Sequence, residues 1–327
     1  MNLLFCSVGG FVELINNFKK SLHKDSKIIA TSNSNTAPAL YFADKQYVVP
    51  NVTDKEYIPI ILDICVNNGI KAVMTLIDHE IEILAANKEK FKEIGVEVLT
   101  PDLETAIVCY DKYKMYEHLK QNGIKTITTY KDFDDFSKDY EEKKCVFPLF
   151  VKPRTGNGSI GARKIDNYDE LKTICNREHD LIIQEFMDGV ESDVDVYIDT
   201  ISGKVVSIFA KEKLAKTIGG TLKGISFKDE KLYTAVEKVA SKFKFCGPTD
   251  MEFFYQNGEY YLSEINPRFS AAYGHAYECG VDFIKLIMNN LAGRENTGEV
   301  GNYEEAVLMM KYWNVVVKKK TELASSY

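Results

Sequence analysis

The sequence predicts an α/β domain followed by an α+β region. Two observations carry this prediction. Over the first hundred or so residues, short β-rich apolar runs alternate with segments of helical apolar spacing, the pattern of βαβ units around a parallel sheet. Beyond about residue 120 strand-like runs follow one another through tight turns, which is an antiparallel α+β pattern. A length of 327 residues leaves room for two or three domains, each with its own core.

The elements follow in order. "NLLFCSV" is a β-rich run that stops at Gly9-Gly10, and "FVELINNFKKSLHK" sets Phe11, Leu14, Ile15, Phe18 and Leu22 at helical spacing. "KIIATS" and "QYVVP" read as strands, "EYIPIILDICVNN" as a helix, "KAVMTLID" as a strand, "EIEILAANKEKFKEI" as one helix and "VEVLT" as a strand. Pro101-Asp102 marks a boundary. "ETAIVCYDKYKMYEHLKQNG" reads as two helices broken at Asp111, with Gly123 closing the second. "FPLFVKP" is a strand, "RTGNGSIGARKI" a glycine-rich loop running into another, and "YDELKTICNRE" a short helix. "LIIQEF", "SDVDVYID" and "VVSIFAKEKL" are strands and "DEKLYTAVEKVASKF" is an amphipathic helix. "DMEFFYQNGEYYLSEIN" is a hairpin about Asn257-Gly258, a strong short-range turn signal. "LMMKYWNVVVK" reads as a final strand anchored by Trp313.

Composition narrows the function classes. With 45% hydrophobic and 27% charged residues the chain has the make-up of a soluble globular protein, and a net charge of −7 argues against a duplex nucleic-acid binder. No run reaches the ~18–20 apolar residues of a membrane span, and "MNLLFCSVGG" lacks the features of a signal peptide. Cys6, Cys65, Cys109, Cys145, Cys175, Cys246 and Cys279 form no CxxC pair and are odd in number. Reduced thiols in the cytoplasm are the simplest reading.

Four stretches carry chemistry. "SVGG" lacks G-x-G-x-x-G, so a tight strand-to-helix turn is favoured over a phosphate-binding turn. In "FVKPRTGNGSIGARKI", Lys152 ends a strand and Gly156, Gly158, Ser159 and Gly161 form a loop rich in backbone N–H donors. Such a loop wraps phosphate oxygens with a lysine at its root, or is only a permissive surface hairpin. "LIIQEFMDGVESDVDVYID" supplies a linker, Gln184 to Met187, whose backbone and Glu185 suit an adenine edge, and Glu191 suits ribose hydroxyls. For Asp193, Asp195 and Asp199 a solvated strand face is the favoured reading, since Val194, Val196 and Ile198 alternate as the core side.

The fourth stretch is "YYLSEINPRFS". Glu264 and Asn266 share one strand face, and with Glu252 they form an oxygen donor set suited to magnesium on nucleotide phosphates. Arg268 then faces the transferred phosphoryl group. A strict two-residue turn at Asn257-Gly258 sets Glu252 opposite Ser263, which puts Glu252 and Glu264 on opposite faces. The metal assignment therefore demands a three-residue loop or one β-bulge.

Asp111-Lys112, Lys152 with its loop, Gln184-Glu185-Phe186-Met187, Glu191, Glu252 and Glu264-x-Asn266-Pro267-Arg268 occur in an order that resembles the ATP-grasp superfamily. The likeness is to carbamoyl phosphate synthase large-chain modules and stand-alone carboxylate–amine ligases, and covers roughly residues 105–295. It implies an α/β N-terminal Rossmann-like (pre-ATP-grasp) domain, residues 1–104, followed by an α+β two-lobed ATP-grasp domain. The small lobe is then 105–187 and the large lobe 188–327.

The resemblance also implies roles. Lys112 and Lys152 reach the nucleotide phosphates, and Gln184, Glu185, Phe186 and Met187 hold adenine. Glu191 holds ribose, Glu252, Glu264 and Asn266 hold magnesium, and Arg268 is the catalytic arginine. In "FAKEKLAKTIGG", Lys211 is the candidate for the γ-phosphate or acyl phosphate, while Lys213 and Lys216 are read as a solvated basic run. The implied cofactors are ATP and two magnesium ions, with manganese as an alternative. The implied partners are a small carboxylate, an amine and a second copy of the chain, not nucleic acid or membrane. The implied reaction is an ADP-forming ligation through an acyl phosphate. A non-catalytic or regulatory ATP-binding module, or a carbamoyl-phosphate-synthase-like subunit, is the alternative. The chain has about the length of one synthase half, so carbamoyl phosphate synthesis itself is not expected. His275, Ser270 and Tyr273 are secondary candidates at the substrate end, and His275 is read as structural first.

Overall fold

Five parallel strands form the N-terminal sheet: β1 (Asn2–Cys6), β2 (Ile28–Ser32), β3 (Lys45–Val48), β4 (Ile70–Thr75) and β5 (Glu97–Val98), in the order β3-β2-β1-β4-β5. A computed structural model describes residues 1–156, 158, 160–217, 220–298 and 300–327 of the chain. The crossovers are helical, with α1 (Val12–Ser21), α2 (Tyr57–Asn67), α3 (Asp78–Ala86) and α4 (Lys88–Glu93). The single helix expected from "EIEILAANKEKFKEI" is two, because Asn87 turns its side-chain amide onto the Ile83 carbonyl at 2.8 Å and interrupts the ladder. β1 lies between β2 and β4, so the order reverses there, the place where open parallel sheets hold ligands.

Helices α5 (Leu103–Tyr110) and α6 (Lys112–Gln121) meet at Asp111, as the sequence predicts. The Asp111 carboxylate caps α6 by accepting from the backbone N–H groups of Tyr113 and Lys114. A small antiparallel sheet follows, built from β6 (Thr129–Tyr130), β7 (Leu149–Pro153), β8 (Arg163–Ile165) and β9 (Leu181–Glu185), with α7 (Phe133–Glu141) and α8 (Tyr168–Arg177) packed on it.

The largest sheet is antiparallel: β10 (Val190–Ile198), β11 (Val205–Thr217), β12 (Gly220–Phe227), β13 (Gly247–Gln256), β14 (Glu259–Asn266) and β15 (Leu308–Met310), in the order β14-β13-β10-β11-β12-β15. One face is apolar. Val194, Val196, Ile208, Met251, Phe253 and Ile265 bury against α9 (Glu230–Ala240). The other face carries the charged residues of the same strands, as a side-chain period of two requires. Two further helices, α10 (Tyr273–Glu278) and α11 (Phe283–Leu291), join the large domain to the first. Phe5, Phe18, Phe269, Tyr273 and Phe283 share one buried core, so the N-terminal sheet and the helices after β14 are packed as one body.

The expected final strand is short. Pairing with β12 stops at Met310, and Trp313 is 90% exposed, so it anchors nothing. The chain then returns to the first sheet, where Ser326 bridges Val48 and Tyr327 packs on Tyr47. Among the described residues no helix is long and apolar enough to cross a membrane.

Candidate active site

Between the small sheet and the charged face of the large sheet lies a cavity of about 560 Å³. Its apolar end is made by Ile127, Phe150, Ile160, Phe186, Met187 and Phe254, and its polar end by Lys112, Lys152, Glu191, Glu252 and Glu264. A smaller void of about 10 Å³ adjoins the polar end, lined by Lys112, Gly156 and Glu264 together with Asp78, Tyr110 and Asn266.

At the polar end two lysines converge. Lys152 is buried at the end of β7, and Lys112 reaches from the first turn of α6 to donate to the Gly156 carbonyl at 2.7 Å. Burial lowers the Lys152 pKa, and the Lys112 charge adds to this against the pull of Glu264, Glu252 and Glu191. Gly156 and Gly158 have φ of +109° and +69°, the left-handed region that a glycine loop needs here. Gly156 lines the cavity, and Ser159 lies outside the described residues.

At the apolar end Gln184, Glu185, Phe186 and Met187 all line the cavity. The Gln184 amide is buried and donates to the Thr129 hydroxyl at 2.8 Å, so its role is to fix β9 on β6. The Glu185 carboxylate is exposed. After the linker, Gly189 passes so close to β13 that a Cβ there would sit 2.3 Å from the Tyr255 carbonyl oxygen. That close approach pins the linker on the large sheet.

The hairpin supplies the acids. Asn257 and Gly258 form a two-residue turn with φ of +53° and +78°. From there Gln256 pairs with Glu259 and Phe253 with Leu262, but Glu252 pairs with Glu264. The shift leaves Ser263 as a one-residue bulge, so Glu252 and Glu264 face each other and Asp250 faces Asn266. The irregularity the sequence demanded is present. All three expected metal ligands share one face, and Asn266 also donates to Asp250 at 3.2 Å. These hard oxygen donors fit magnesium. Among the described residues no three His, Cys, Asp or Glu side chains are grouped as a metal site.

The basic strand differs from expectation. Lys211 does not reach the cavity. It is fully buried, one rung away, with its ammonium 3.0 Å from Asp193 and 2.5 Å from Asp195. Asp193, Asp195 and Asp199 are themselves buried, not solvated: Asp193 and Asp195 hold Lys211 between them, and Asp199 accepts from the side chains of Asn290 and Asn296. Burial pushes Asp195 up to about 6 despite Lys211, and burial with Asp193 and Glu252 pushes Asp250 well above the usual range. Lys213, read as solvated, is instead buried behind two acids that line the cavity. Its side chain is 3% exposed and lies 2.8 Å from both Glu191 and Glu252. Lys216 lines the cavity and pairs with the other oxygen of Glu191. Burial works against ionisation of Glu191, but these two ammoniums hold its carboxyl below the usual range. Period two could have flagged Lys213, since Lys211 and Lys213 share a face and only the pairing distinguishes them.

Arg268 lies half-buried just outside the cavity. Its Nη2 donates to one oxygen of Asp78 at 3.0 Å, its Nε lies 2.8 Å from the other without hydrogen-bond alignment, Nη1 donates to the Phe269 carbonyl, and Asp250 is 3.9 Å away. Asp78 opens α3, so a residue of the first domain orients the arginine of the last motif. No sequence signal identified Asp78. His275 is buried in α10 against Phe209, with its Nε2 bonded to the Val307 carbonyl at 3.0 Å, which is the structural role. Burial drives its pKa down to about 4.

Comparisons agree with this architecture. The chain is 22% identical to the carbamoyl phosphate synthase arginine-specific large chain of Bacillus subtilis over 81% of its own length and 26% of that protein's. It is 28% identical to a D-alanine–D-alanine ligase of Christiangramia forsetii over 53% of its length and 59% of the relative's. The chain thus spans about a quarter to three-fifths of the curated relatives it matches. Its fold superposes on the biotin carboxylase domain of Hydrogenobacter thermophilus 2-oxoglutarate carboxylase, solved with MgADP and bicarbonate, with a TM-score of 0.74 at 19% identity, covering 94% of this chain and 73% of that one. Residues 3–99 match the PylC-like N-terminal domain. Residues 109–272, half of the chain, match the family model of the ATP-grasp domain, and the chain belongs to the ATP-grasp family.

Proposed function

We propose that the protein is an ATP-dependent, ADP-forming ligase that joins a small carboxylate to an amine or another nucleophile. The bulged hairpin carries this reading, because it faces Glu252 with Glu264 at the phosphate end of a nucleotide-sized cavity where Lys112 and Lys152 converge. The relatives named above are themselves a ligase and a synthase chain, which supports the class and leaves the substrate to experiment.

In this reading Phe186, Met187 and the Glu185 backbone receive adenine, Glu191 the ribose, and Lys112, Lys152 and the glycine loop the phosphates. Glu252, Glu264 and Asn266 would hold magnesium, taken as two ions with manganese as an alternative, which neutralises charge on the phosphoryl oxygens. The γ-phosphoryl group moves to a carboxylate oxygen of the substrate as its bond to ADP breaks. Arg268, paired with Asp78, stabilises the charge that develops. The amine nitrogen then attacks the acyl carbon, phosphate leaves and the nitrogen loses a proton. A closed cavity keeps water from the acyl phosphate. Lys211 is assigned to supporting the strand face, and Lys213 replaces it beside the phosphates. We further propose three working parts, residues 1–104, 105–187 and 188–327, a cytoplasmic setting and a homodimer, the state in which the biotin carboxylase domain was solved.

A phosphate-release screen of carboxylates against amines, with ATP and magnesium, tests the reading. Release that depends on both partners supports it. Nucleotide binding with no release from any pair favours the module without turnover.

A further inference from the structure

We infer that Lys213 is an internal counter-cation that keeps the metal site closed until a nucleotide arrives. The inference rests on the nucleotide-site reading above. Three observations converge on it.

First, the ammonium bridges two acids of different assignment. It lies 2.8 Å from Glu191, on the ribose side, and 2.8 Å from Glu252, on the metal side. Second, the bridge is largely buried. Lys213 is 3% exposed, Glu191 13% and Glu252 22%, so the contacts are not the loose pairing of a surface lysine. Third, the donor set is incomplete alone. Among the described residues no group of three acids, histidines or cysteines is placed for a metal, and Glu252, one of the two carboxylates facing each other across β13 and β14, is already spoken for by Lys213.

The physical consequence is competition. A divalent ion and an ammonium cannot both sit on the Glu252 carboxylate without strong repulsion in a partly buried site. Without nucleotide the ammonium wins, because it is tethered and the ion lacks phosphate ligands. With nucleotide the phosphates supply both the missing oxygens and an alternative anion for Lys213. Metal and nucleotide therefore bind with mutual reinforcement, each raising the affinity of the other. Lys216 does not substitute, since its side chain is 61% exposed and its one ion pair among the described residues is to Glu191.

The test is manganese binding to the full chain, read by electron paramagnetic resonance with no nucleotide and then with ADP. Wild type should bind manganese alone weakly and far more tightly with ADP. Lys213→Met should bind manganese alone about tenfold or more tightly than wild type, with a smaller gain from ADP. Lys213→Arg keeps a cation and should stay closed like wild type. If Lys213→Met fails to fold, Lys213→Gln, which retains a hydrogen-bond donor, takes its place and should open the site in the same way. Equal manganese affinity in wild type and the neutral variants, with ADP binding intact, overturns the inference and leaves the nucleotide site standing. Absence of manganese–ADP binding in every protein overturns both.

Discussion

Glu264 is the residue on which the candidate chemistry turns. It faces Glu252 across the hairpin and lines both the main cavity and the small void beside it. Glu264→Gln keeps the shape and removes the charge, so turnover should fall about a hundredfold or more while the fold persists. Unchanged phosphate release would remove Glu264 from the site. His275 makes a different prediction. Its folded pKa of about 4 lies below the ordinary 6.5, so the unfolded chain takes up the proton first as pH falls. Stability from this residue is present above about pH 6.5 and is lost towards pH 4. Between pH 7 and 4.5 wild type should lose about 2 kcal/mol more than His275→Gln in urea unfolding. Parallel losses would contradict the burial argument. The comparison with the variant matters because Asp195, raised to about 6, works in the opposite direction over the same range.

The hairpin of β13 and β14 shows what an element adds to its residues. Ser263 is the extra residue that sets Glu264 opposite Glu252 and Asn266 opposite Asp250. Inserting one alanine between Glu252 and Phe253 gives Ser263 a partner and restores regular pairing, which turns the facing Glu252 and Glu264 towards the apolar face shared with α9. The expected result is a markedly lower melting temperature and loss of metal-dependent ADP binding, and retention of both would contradict the role of the bulge. This irregularity was legible in the sequence because period two and the Asn257-Gly258 turn were incompatible with a shared metal face. Other features of the same sheet were not legible. Alternation shows which residues share a face but not what covers it, so Asp193 and Asp195 read as solvated although residues distant in sequence bury them. β12 was missed because the glycines in "GGTLKGISF" weaken a strand signal. The run "LMMKYWNVVVK" was overread because β-rich composition does not say where a pairing partner ends.

At the scale of the whole molecule, the first domain is part of the site and not an appendage. The Asp78–Arg268 pair crosses from α3 to the motif after β14, and it is largely buried. Breaking it removes the nearer of two partners and leaves Arg268 with Asp250 3.9 Å away, so Asp78→Ala should destabilise the protein by about 1.5–3 kcal/mol. A loss under about 0.5 kcal/mol would mean the pair is not holding the domains together. The alternation of strands and helices foretold the parallel sheet, and the ordered motifs foretold the two lobes. Their junction was hidden, since a lone Asp at a helix start has no pattern that ties it to an arginine 190 residues away.

The most direct measurement of the central claim follows an oxygen atom. For any carboxylate–amine pair that drives ADP formation, the carboxylate is supplied with ¹⁸O and the released phosphate is weighed. Phosphoryl transfer to the carboxylate predicts one ¹⁸O in each phosphate, dependent on magnesium and lost in Glu264→Gln. Phosphate without ¹⁸O, or turnover indifferent to the carboxylate, would contradict an acyl phosphate ligase.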